Sequence, residues 1–317
     1  MLGLSSLFWG VSFILTKEIF AIAPTITVFQ LISFRLLLAS IVLLPILAIN
    51  GTLERIRKGD LKWFLLLALA EPFLYYIMET NALRLVSGSL TSVIIATIPL
   101  FVTITYVVLY RQKLHASLYI GVILSLIGVI VMLLGDGGLN IGANDKVTML
   151  KGLALLVGAV IVAVAYTLLI AKVADHYQAT TVIGYQNIIG LIYYLPVMLF
   201  FDGDTLVTIP ISAKLILLIL CLGVFCSALG YIFYCYGVQY LGPAAACVFN
   251  NIIPIFTLLA ALAIGQEHFG WAKLIGMIVA LAGATLAQLK SPEPVSQRPV
   301  RNKSQHRKKA IFKSHLK

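Results

Sequence analysis

Two glutamates and a tyrosine in one apolar stretch are the residues of this sequence best suited to chemistry. Glu71 and Glu79 are eight positions apart within residues 61–82, and Tyr75 lies midway between them. At about 100° per residue, a helix places residues with this spacing about 80° apart, so that both lie on one broad face. A carboxyl group in an apolar medium favours its neutral form. This face is therefore a candidate site for binding a substrate amine or for carrying a proton.

Arg35, in the apolar stretch 26–49, is a third ionisable residue predicted to lie in mid-membrane. A central charge costs about 2.5–3.5 kcal/mol, so such residues are candidates for function. Two compatible interpretations are open for Glu71: an ion pair with Arg35 at similar depth, or direct handling of substrate or protons. Glu79 lies nearer the end of its stretch without an obvious partner, which favours a role in proton or substrate binding. The alternative for Glu79 is a side chain that extends outward to the membrane interface.

The composition of the chain indicates a membrane protein. The 317 residues are 61% hydrophobic and 11% charged, whereas soluble domains carry about 25% charged residues. A helix that crosses about 30 Å of hydrocarbon needs about 20 apolar residues. Ten stretches approach that length, at about 2–22, 26–49, 61–82, 86–109, 116–134, 152–172, 180–201, 212–238, 241–264 and 271–289. The sequence predicts an all-α membrane protein with ten transmembrane helices.

An internal repeat organises these ten stretches. Residues recur at a single offset of 155 positions: Pro99 and Phe101 with Pro254 and Phe256, Gly121 and Gly128 with Gly276 and Gly283, and Lys17 with Lys172. Because the repeated unit has five helices, an odd number, its second copy crosses the bilayer in the opposite sense. Two inverted-topology halves with a site between them are typical of secondary transporters. We predict a first repeat at 1–134, a loop at 135–151, a second repeat at 152–289 and a basic, disordered tail at 290–317.

Prolines mark positions at which the helices are expected to bend around a cavity. Proline removes a backbone hydrogen bond, so Pro72, Pro99 and Pro254 are predicted to kink their helices. Asn250 and Asn251 stand just ahead of Pro254, and their side-chain amides need partners inside the membrane. Those partners are either water in a central cavity or polar groups of a neighbouring helix.

Aromatic residues extend the candidate site. Trp9, Tyr166 and Tyr231 fall well inside their stretches, rather than at the ends where aromatic side chains favour the membrane interface. They either line the wall of a cavity or pack in the core.

Other kinds of chemistry have little support in the sequence. The five histidines lie outside the predicted helices, and no Gly-x-x-x-x-Gly-Lys stretch is present, so we expect no metal, cofactor or direct use of ATP. A membrane enzyme with Glu71 and Glu79 as acid and base is a rival hypothesis, but no nucleophile or metal cluster accompanies them. The basic tail lacks aromatic spacing for stacking on bases. We therefore expect contact with membrane lipid and not with nucleic acid.

Lysine and arginine predict the orientation of the chain. Basic residues concentrate at 55–62, at 111–113 and in the tail at 290–317, three regions on one side of a ten-helix arrangement. On the opposite side, acidic residues accompany the basic ones, so the excess of positive charge is smaller there. We predict a multi-pass protein of the inner membrane with both termini in the cytoplasm.

A set of residues in both repeats matches a known family pattern. They are Trp9–Gly10, Phe13, Lys17 and Arg35, then Ser87 through Pro99 to Lys113 with Gly121 and Gly128, and a second copy from Gly242 through Pro254 and Glu267 to Gly276 and Gly283. In these residues the chain resembles the EamA-like family of the drug/metabolite transporter superfamily. That pattern usually has an acidic residue after helices 4 and 9; Glu267 keeps it, whereas the first copy has Gln112–Lys113. The resemblance implies a central cavity lined mainly by helices 1, 3, 4, 6, 8 and 9.

The repeat, the mid-membrane carboxyl groups and the resemblance predict a transporter and not an enzyme. We expect an inner-membrane secondary transporter that exports amino acids or related small polar metabolites by alternating access, with protons as the coupling ion. The alternative is a multidrug or sugar-nucleotide carrier of the same superfamily. A sugar nucleotide would need cations for its diphosphate, and only Arg35 is central. The expected partners are a small-molecule substrate and membrane lipid; the sequence leaves the oligomeric state open.

Overall fold

A computed structural model describes residues 1–109, 111, 116–135, 143–170, 172–173, 176–241 and 249–288. All regular structure in these ranges is helical. The predicted basic tail at 290–317 and residues 136–142 of the predicted inter-repeat loop lie outside the described ranges.

Thirteen α-helices follow one another in the described ranges. They are α1 (Leu2–Ile22), α2 (Val28–Ile49), α3 (Leu61–Ala68), α4 (Tyr75–Leu85), α5 (Gly88–Ile95), α6 (Ile98–Leu109), α7 (Ala116–Gly135), α8 (Ala143–Ile170), α9 (Ala179–Asp202), α10 (Ala213–Leu220), α11 (Gly230–Leu241), α12 (Ile253–Ile264) and α13 (Trp271–Gln288). Wider π-helical turns join α3 to α4 at Leu69–Leu74 and α10 to α11 at Cys221–Leu229. A short 3₁₀ helix spans Asp204–Thr208.

Eight helical segments in the described part of the chain are long and apolar enough to cross a membrane. They are Leu2–Ile22, Val28–Ile49, Leu61–Leu85, Gly88–Leu109, Ala116–Gly135, Lys146–Ile170, Ala179–Asp202 and Ala213–Gly237. The ninth and tenth predicted stretches contain the shorter apolar helices Ile253–Ile264 and Trp271–Ala287. The protein is therefore a multi-pass membrane protein, and the part of it that the structure describes is helical.

Hydroxyl side chains begin several of the helices. Thr27 accepts a hydrogen bond from the Gln30 amide at 3.1 Å, and the Gln30 side chain accepts one from the Thr27 amide at 3.0 Å. Ser87 and Ser212 accept hydrogen bonds in the same way at the starts of α5 and α10. These contacts matter because the first amides of a helix have no partner within it.

The prolines at 99 and 254 stand in the first turns of helices. α5 ends at Ile95 and α6 begins at Ile98, so Pro99 is the second residue of a new helix and does not bend a continuous one. Pro254 has the same place in α12. Proline is well tolerated there because the missing N–H would have no intrahelical partner. Moving the bounds of α6, Ile98–Leu109, by 155 residues gives those of α12, Ile253–Ile264.

Helices α7 and α13 approach each other closely through glycines. A methyl group added to Gly121 would lie 2.6 Å from the carbonyl oxygen of Gly283, and one added to Gly276 would lie 2.7 Å from the carbonyl oxygen of Gly128. Small residues let helix backbones pack together in membranes. The two helices therefore form a tight pair.

Central packing positions the broken helix α3–α4. Helix α2 packs between α9 and the π-helical turn Cys221–Leu229, while α4 packs on α8 and α1 on α11 and α12. Gly190 of α9 faces Pro72, and a methyl group added there would come within 3.0 Å of the Pro72 Cδ. The absence of a side chain on Gly190 lets α9 lie directly against the interruption.

We expect Gly121→Ala to destabilise the fold by about 1–3 kcal/mol, since overpacking forces backbones apart. The added methyl group would lie 2.7 Å from the Ala287 amide nitrogen. Thermal unfolding in detergent measures the change. Gly3→Ala is the control, because nothing lies within 4 Å of its added methyl group. Equal melting temperatures for the two variants would contradict a close α7–α13 contact.

Candidate functional site

The candidate site is built around an interruption between α3 and α4. Glu71 has extended backbone angles, φ −138° and ψ 122°, inside an otherwise helical segment. Pro72 follows and has no N–H to donate, so a carbonyl group one turn earlier loses its intrahelical partner. The Tyr75 amide bonds to the carbonyl groups of Ala70 and Pro72 and not to that of Glu71. An unpaired backbone group is costly inside a bilayer, because no lipid can hydrogen-bond to it.

Side chains of α9 pair with the carbonyl groups at the interruption. Gln186 Nε2 donates to the Glu71 carbonyl oxygen at 2.9 Å. The Tyr194 hydroxyl lies 2.7 Å from the Phe73 carbonyl oxygen and 3.2 Å from that of Pro72. The Tyr166 hydroxyl of α8 donates to Gln186 Oε1 at 3.1 Å, so α8 and α9 together hold the break.

A chain of phenol groups connects the Glu71 side chain to Arg35. Tyr231 of α11 donates to Glu71 Oε1 at 3.3 Å, and its hydroxyl is 3.1 Å from that of Tyr76. The Arg35 guanidinium carbon lies 4.6 Å from the centre of the Tyr76 ring, within cation–π range. Arg35 Nε also donates to Ser227 Oγ at 2.5 Å.

Arg35 and Glu71 do not form the ion pair considered from the sequence, within the part of the chain that the structure describes. The Tyr76 ring covers one face of the guanidinium group, and the Ser227 hydroxyl accepts from its Nε. Glu71 instead accepts its hydrogen bond from a phenol. Arg35 nevertheless lies within electrostatic range of both Glu71 and Glu79.

Glu79 is held inside the protein. Its side chain is 7% exposed, and Oε1 accepts a hydrogen bond from the Tyr75 hydroxyl at 2.9 Å. The alternative of a side chain that extends to the interface therefore does not hold. Tyr75 and Glu79 are four residues apart on α4, the spacing at which helix side chains meet.

The residues described so far form a central cluster of Arg35, Glu71, Tyr75, Tyr76, Glu79, Tyr166 and Tyr231. Trp9 of α1 also belongs to this cluster. Its ring centre lies 5.2 Å from that of Tyr231 and 5.0 Å from that of Tyr234, with the rings inclined to one another. Trp9, Tyr231 and Glu71 are each partly exposed although they contact residues deep in the bundle. These three side chains are therefore not fully enclosed by their protein neighbours.

One of the two predicted asparagines pairs with a side chain of a neighbouring helix. Asn251 Nδ2 donates to Thr285 Oγ1 of α13 at 3.0 Å. Its partner is thus a hydroxyl group of a neighbouring helix. Asn250 is partly buried beside it. The structure therefore brings together seven of the nine predicted binding residues, namely Trp9, Arg35, Glu71, Tyr75, Glu79, Tyr166 and Tyr231.

Four further residues in or beside the cluster carried no predicted role: Tyr76, Gln186, Tyr194 and Ser227. Gln186 had a signal in the sequence, since an amide in the middle of the apolar stretch 180–201 needs a partner. The contacts of Tyr194 and Ser227 depend on which helices are neighbours, and the sequence does not specify these contacts.

A separate cavity of about 400 Å³ opens at the ends of α1 and α4. Lys17, Phe20, Leu83 and Arg84 contribute to its lining. Lys17 donates to the Val86 carbonyl oxygen at 2.6 Å, and the Arg84 guanidinium lies 3.9 Å from the Phe20 ring centre. Among the described residues, no group of three or more His, Cys, Asp or Glu side chains could hold a metal ion.

We expect Gln186→Leu to lower the free energy of unfolding by about 1–3 kcal/mol, the penalty for an unpaired buried polar group. The change leaves the Glu71 carbonyl oxygen and the Tyr166 hydroxyl without Gln186. Gln178→Leu, at the exposed start of the same helix, is the control. If both variants melt together in detergent, Gln186 does not support the interruption.

Comparison with known proteins places this arrangement in a family. The sequence model of the EamA-like transporter family matches residues 1–134 and 150–288. The uncharacterized transporter YetK of Bacillus subtilis is 24% identical over 85% of this chain and 81% of its own length. An uncharacterized transporter of Archaeoglobus fulgidus is 26% identical over 92% of this chain and 96% of its own length.

A solved protein structure supports the fold. It superposes with a TM-score of 0.65 at 16% sequence identity, covering 92% of this chain and 96% of that one. The resemblance seen in the sequence is confirmed by the two matched segments, which include every described residue of the cluster. The chain belongs to the EamA-like transporter family.

Proposed function

We propose that this protein is a secondary transporter that exports amino acids or related small polar metabolites by alternating access. The observation that carries the proposal is the interrupted helix with its two carboxyl groups. Glu71 and Glu79 lie within the candidate membrane span Leu61–Leu85, on an element whose backbone is interrupted and contacted by α9. Discontinuous helices of this kind commonly form the substrate sites of secondary transporters.

The proposed architecture is a ten-helix bundle of two inverted five-helix repeats, residues 1–134 and 152–289. Contacts between equivalent residues support it. Tyr76 and Tyr231 are 155 positions apart and their hydroxyl groups are 3.1 Å apart. Residues that contact their own counterparts lie on an axis relating two halves. The reciprocal approach of Gly121 to Gly283 and of Gly276 to Gly128 has the same symmetry.

The proposed alternating access combines a movement of the two halves with a difference in their chemistry. In the proposed cycle, the halves rock about the axis near Tyr76 and Tyr231. The 155-residue offset maps Glu71 onto Cys226, so the Glu71–Tyr231 hydrogen bond has no chemical equivalent in the other half. This contact is expected to change between the two states, and with it the protonation of the two carboxyl groups, Glu71 and Glu79. The proposed coupling ion is the proton.

The proposed location is the inner membrane with both termini in the cytoplasm. The basic segment 55–62 then faces the cytoplasm, and the cavity at Lys17 and Arg84 faces outward. That cavity lies at the ends of α1 and α4, the helices that carry Trp9 and Glu79, so it is the candidate exit for substrate.

Flux measurements test the proposed function. Purified protein in proteoliposomes is expected to transport radiolabelled amino acids faster when a pH gradient is imposed. Glu79→Gln should reduce that acceleration at least about fivefold, near the lower end of typical couplings between two ligands. The amide keeps the shape of the side chain but cannot exchange a proton. Glu54→Gln, in the loop between α2 and α3, is the control and should transport as the unaltered protein does.

Two results would contradict this function. If folded protein moves no amino acid or related metabolite, the substrate assignment fails and a multidrug carrier becomes the better hypothesis. If Glu79→Gln keeps the full response to the pH gradient, Glu79 is not the coupling group.

Labelling of introduced cysteines tests the orientation. A membrane-impermeant maleimide applied to intact cells is expected to label Asp204→Cys, whereas Lys58→Cys should react only after permeabilisation. Both positions are exposed in the structure, so access to the maleimide depends on the side of the membrane. The protein without an introduced cysteine provides the background. The reverse pattern would overturn the predicted topology.

A further inference from the structure

The charges of the central cluster do not cancel. Arg35 contributes one positive charge, and Glu71 and Glu79 contribute two negative charges when ionised. The other charged residues of the described spans, such as Glu18, Lys62, Asp202 and Lys214, lie toward helix ends. With both carboxylates ionised, the cluster therefore has a net charge of −1. In a medium of low dielectric constant, an uncompensated charge is costly.

No neighbouring group supplies the missing positive charge among the residues that the structure describes. The titratable residues around the carboxyl groups are Arg35 from α2, Tyr75 and Tyr76 from α4, Tyr166 from α8, Tyr194 from α9, Cys226 from the π-helical turn, and Tyr231 and Cys235 from α11. Except for arginine, these side chains are neutral at pH 7 in their ordinary state. They can donate hydrogen bonds to a carboxylate, but they cannot balance its charge.

The surroundings of the carboxyl groups suit an organic cation. Tyr231 is partly exposed and donates to Glu71, and the partly exposed Trp9 packs against Tyr231 and Tyr234. Aromatic faces attract ammonium groups, more strongly when both partners are removed from water. The Tyr76 ring already receives Arg35 on one face, which leaves Trp9 and Tyr231 as the aromatic walls for a ligand.

We infer that the cluster exchanges one proton for one positively charged substrate group, so that its preferred substrates carry a net charge of +1. The proton is bound by a carboxyl group in the empty carrier and leaves when the cation binds. The substrate class is a small amine with a net charge of +1, either a cationic amino acid or a related metabolite. This inference rests on the proposed transport function and narrows its substrate class.

Two consequences follow from the charge count. A zwitterionic amino acid has no net charge, so it cannot replace the proton and should bind weakly. Exchange of one proton for one monovalent cation moves no net charge across the membrane. Transport should therefore respond to a pH gradient and not to a membrane potential.

A matched pair of ligands tests the inference on the full-length protein in detergent. The cation is benzyltrimethylammonium, and the zwitterion is N,N,N-trimethylphenylalanine, which adds a carboxylate to a similar aromatic ammonium compound. Titration calorimetry in two buffers of different ionisation enthalpy gives both the affinity and the number of protons released. We expect release of about one proton per bound cation and an affinity for the zwitterion at least about tenfold lower.

Variants separate the charge count from general effects on folding. In Glu71→Gln or Glu79→Gln, the remaining carboxylate balances Arg35, so cation binding should be weaker and should release no proton. Glu18→Gln is the control. It removes a carboxylate that pairs with Lys214 at 2.6 Å outside the cluster, and release of one proton should persist. Melting temperatures identify variants that fail to fold.

The outcomes distinguish this inference from the proposed function. Equal affinity for both ligands, or cation binding without proton release, overturns the inference. Proton-coupled flux of zwitterionic amino acids in proteoliposomes also overturns it, while the proposed transport function stands. If folded protein binds neither ligand and transports no member of the amino-acid and amine panel, both fail. Cation-selective binding with proton release, and cation flux that responds only to the pH gradient, support both.

Discussion

The structure depends on one constraint: backbone carbonyl groups freed inside the bilayer must find partners within the protein. At the interruption, Gln186 of α9 donates to the Glu71 carbonyl oxygen, and the Tyr194 hydroxyl of α9 donates to that of Phe73. Because those donors are on α9, the broken helix must stay against α9 for the fold to be stable. The same requirement fixes Glu71 beside Tyr231 and the phenol groups that lead to Arg35.

Symmetry and asymmetry have different roles in this fold. The glycine contacts between α7 and α13 are reciprocal, as expected of a structural scaffold. The carboxyl groups break that symmetry, because the 155-residue offset maps Glu71 onto Cys226 and Glu79 onto Tyr234. In the proposed architecture, two halves of similar shape thus enclose a site in which both glutamates, Glu71 and Glu79, come from the first half. Such a bundle can change shape about its axis while one half carries the chemistry.

The sequence alone predicted much of the fold and part of the site. Apolar length and the repeat predicted where most helices lie, since both depend on local composition. Pro72 indicated the interruption beside Glu71. The sequence did not specify which helices are neighbours, so it did not reveal that Tyr76 lies over Arg35 or that Ser227 accepts from it. Asn251 follows the second of its two interpretations, because its amide donates to a hydroxyl group of a neighbouring helix, that of Thr285 on α13.

Protonation of the buried carboxyl groups is the central claim of this account, and infrared difference spectroscopy of the protein in lipid measures it directly. Acidification is predicted to produce the carbonyl stretch of a neutral carboxylic acid in a dry environment. That band should weaken in Glu79→Gln and in Glu71→Gln, and it should persist in Glu18→Gln. Addition of an organic cation at fixed pH is predicted to remove the band. A spectrum in which neither pH nor the cation changes this band, or in which both glutamine variants retain it, would contradict the account.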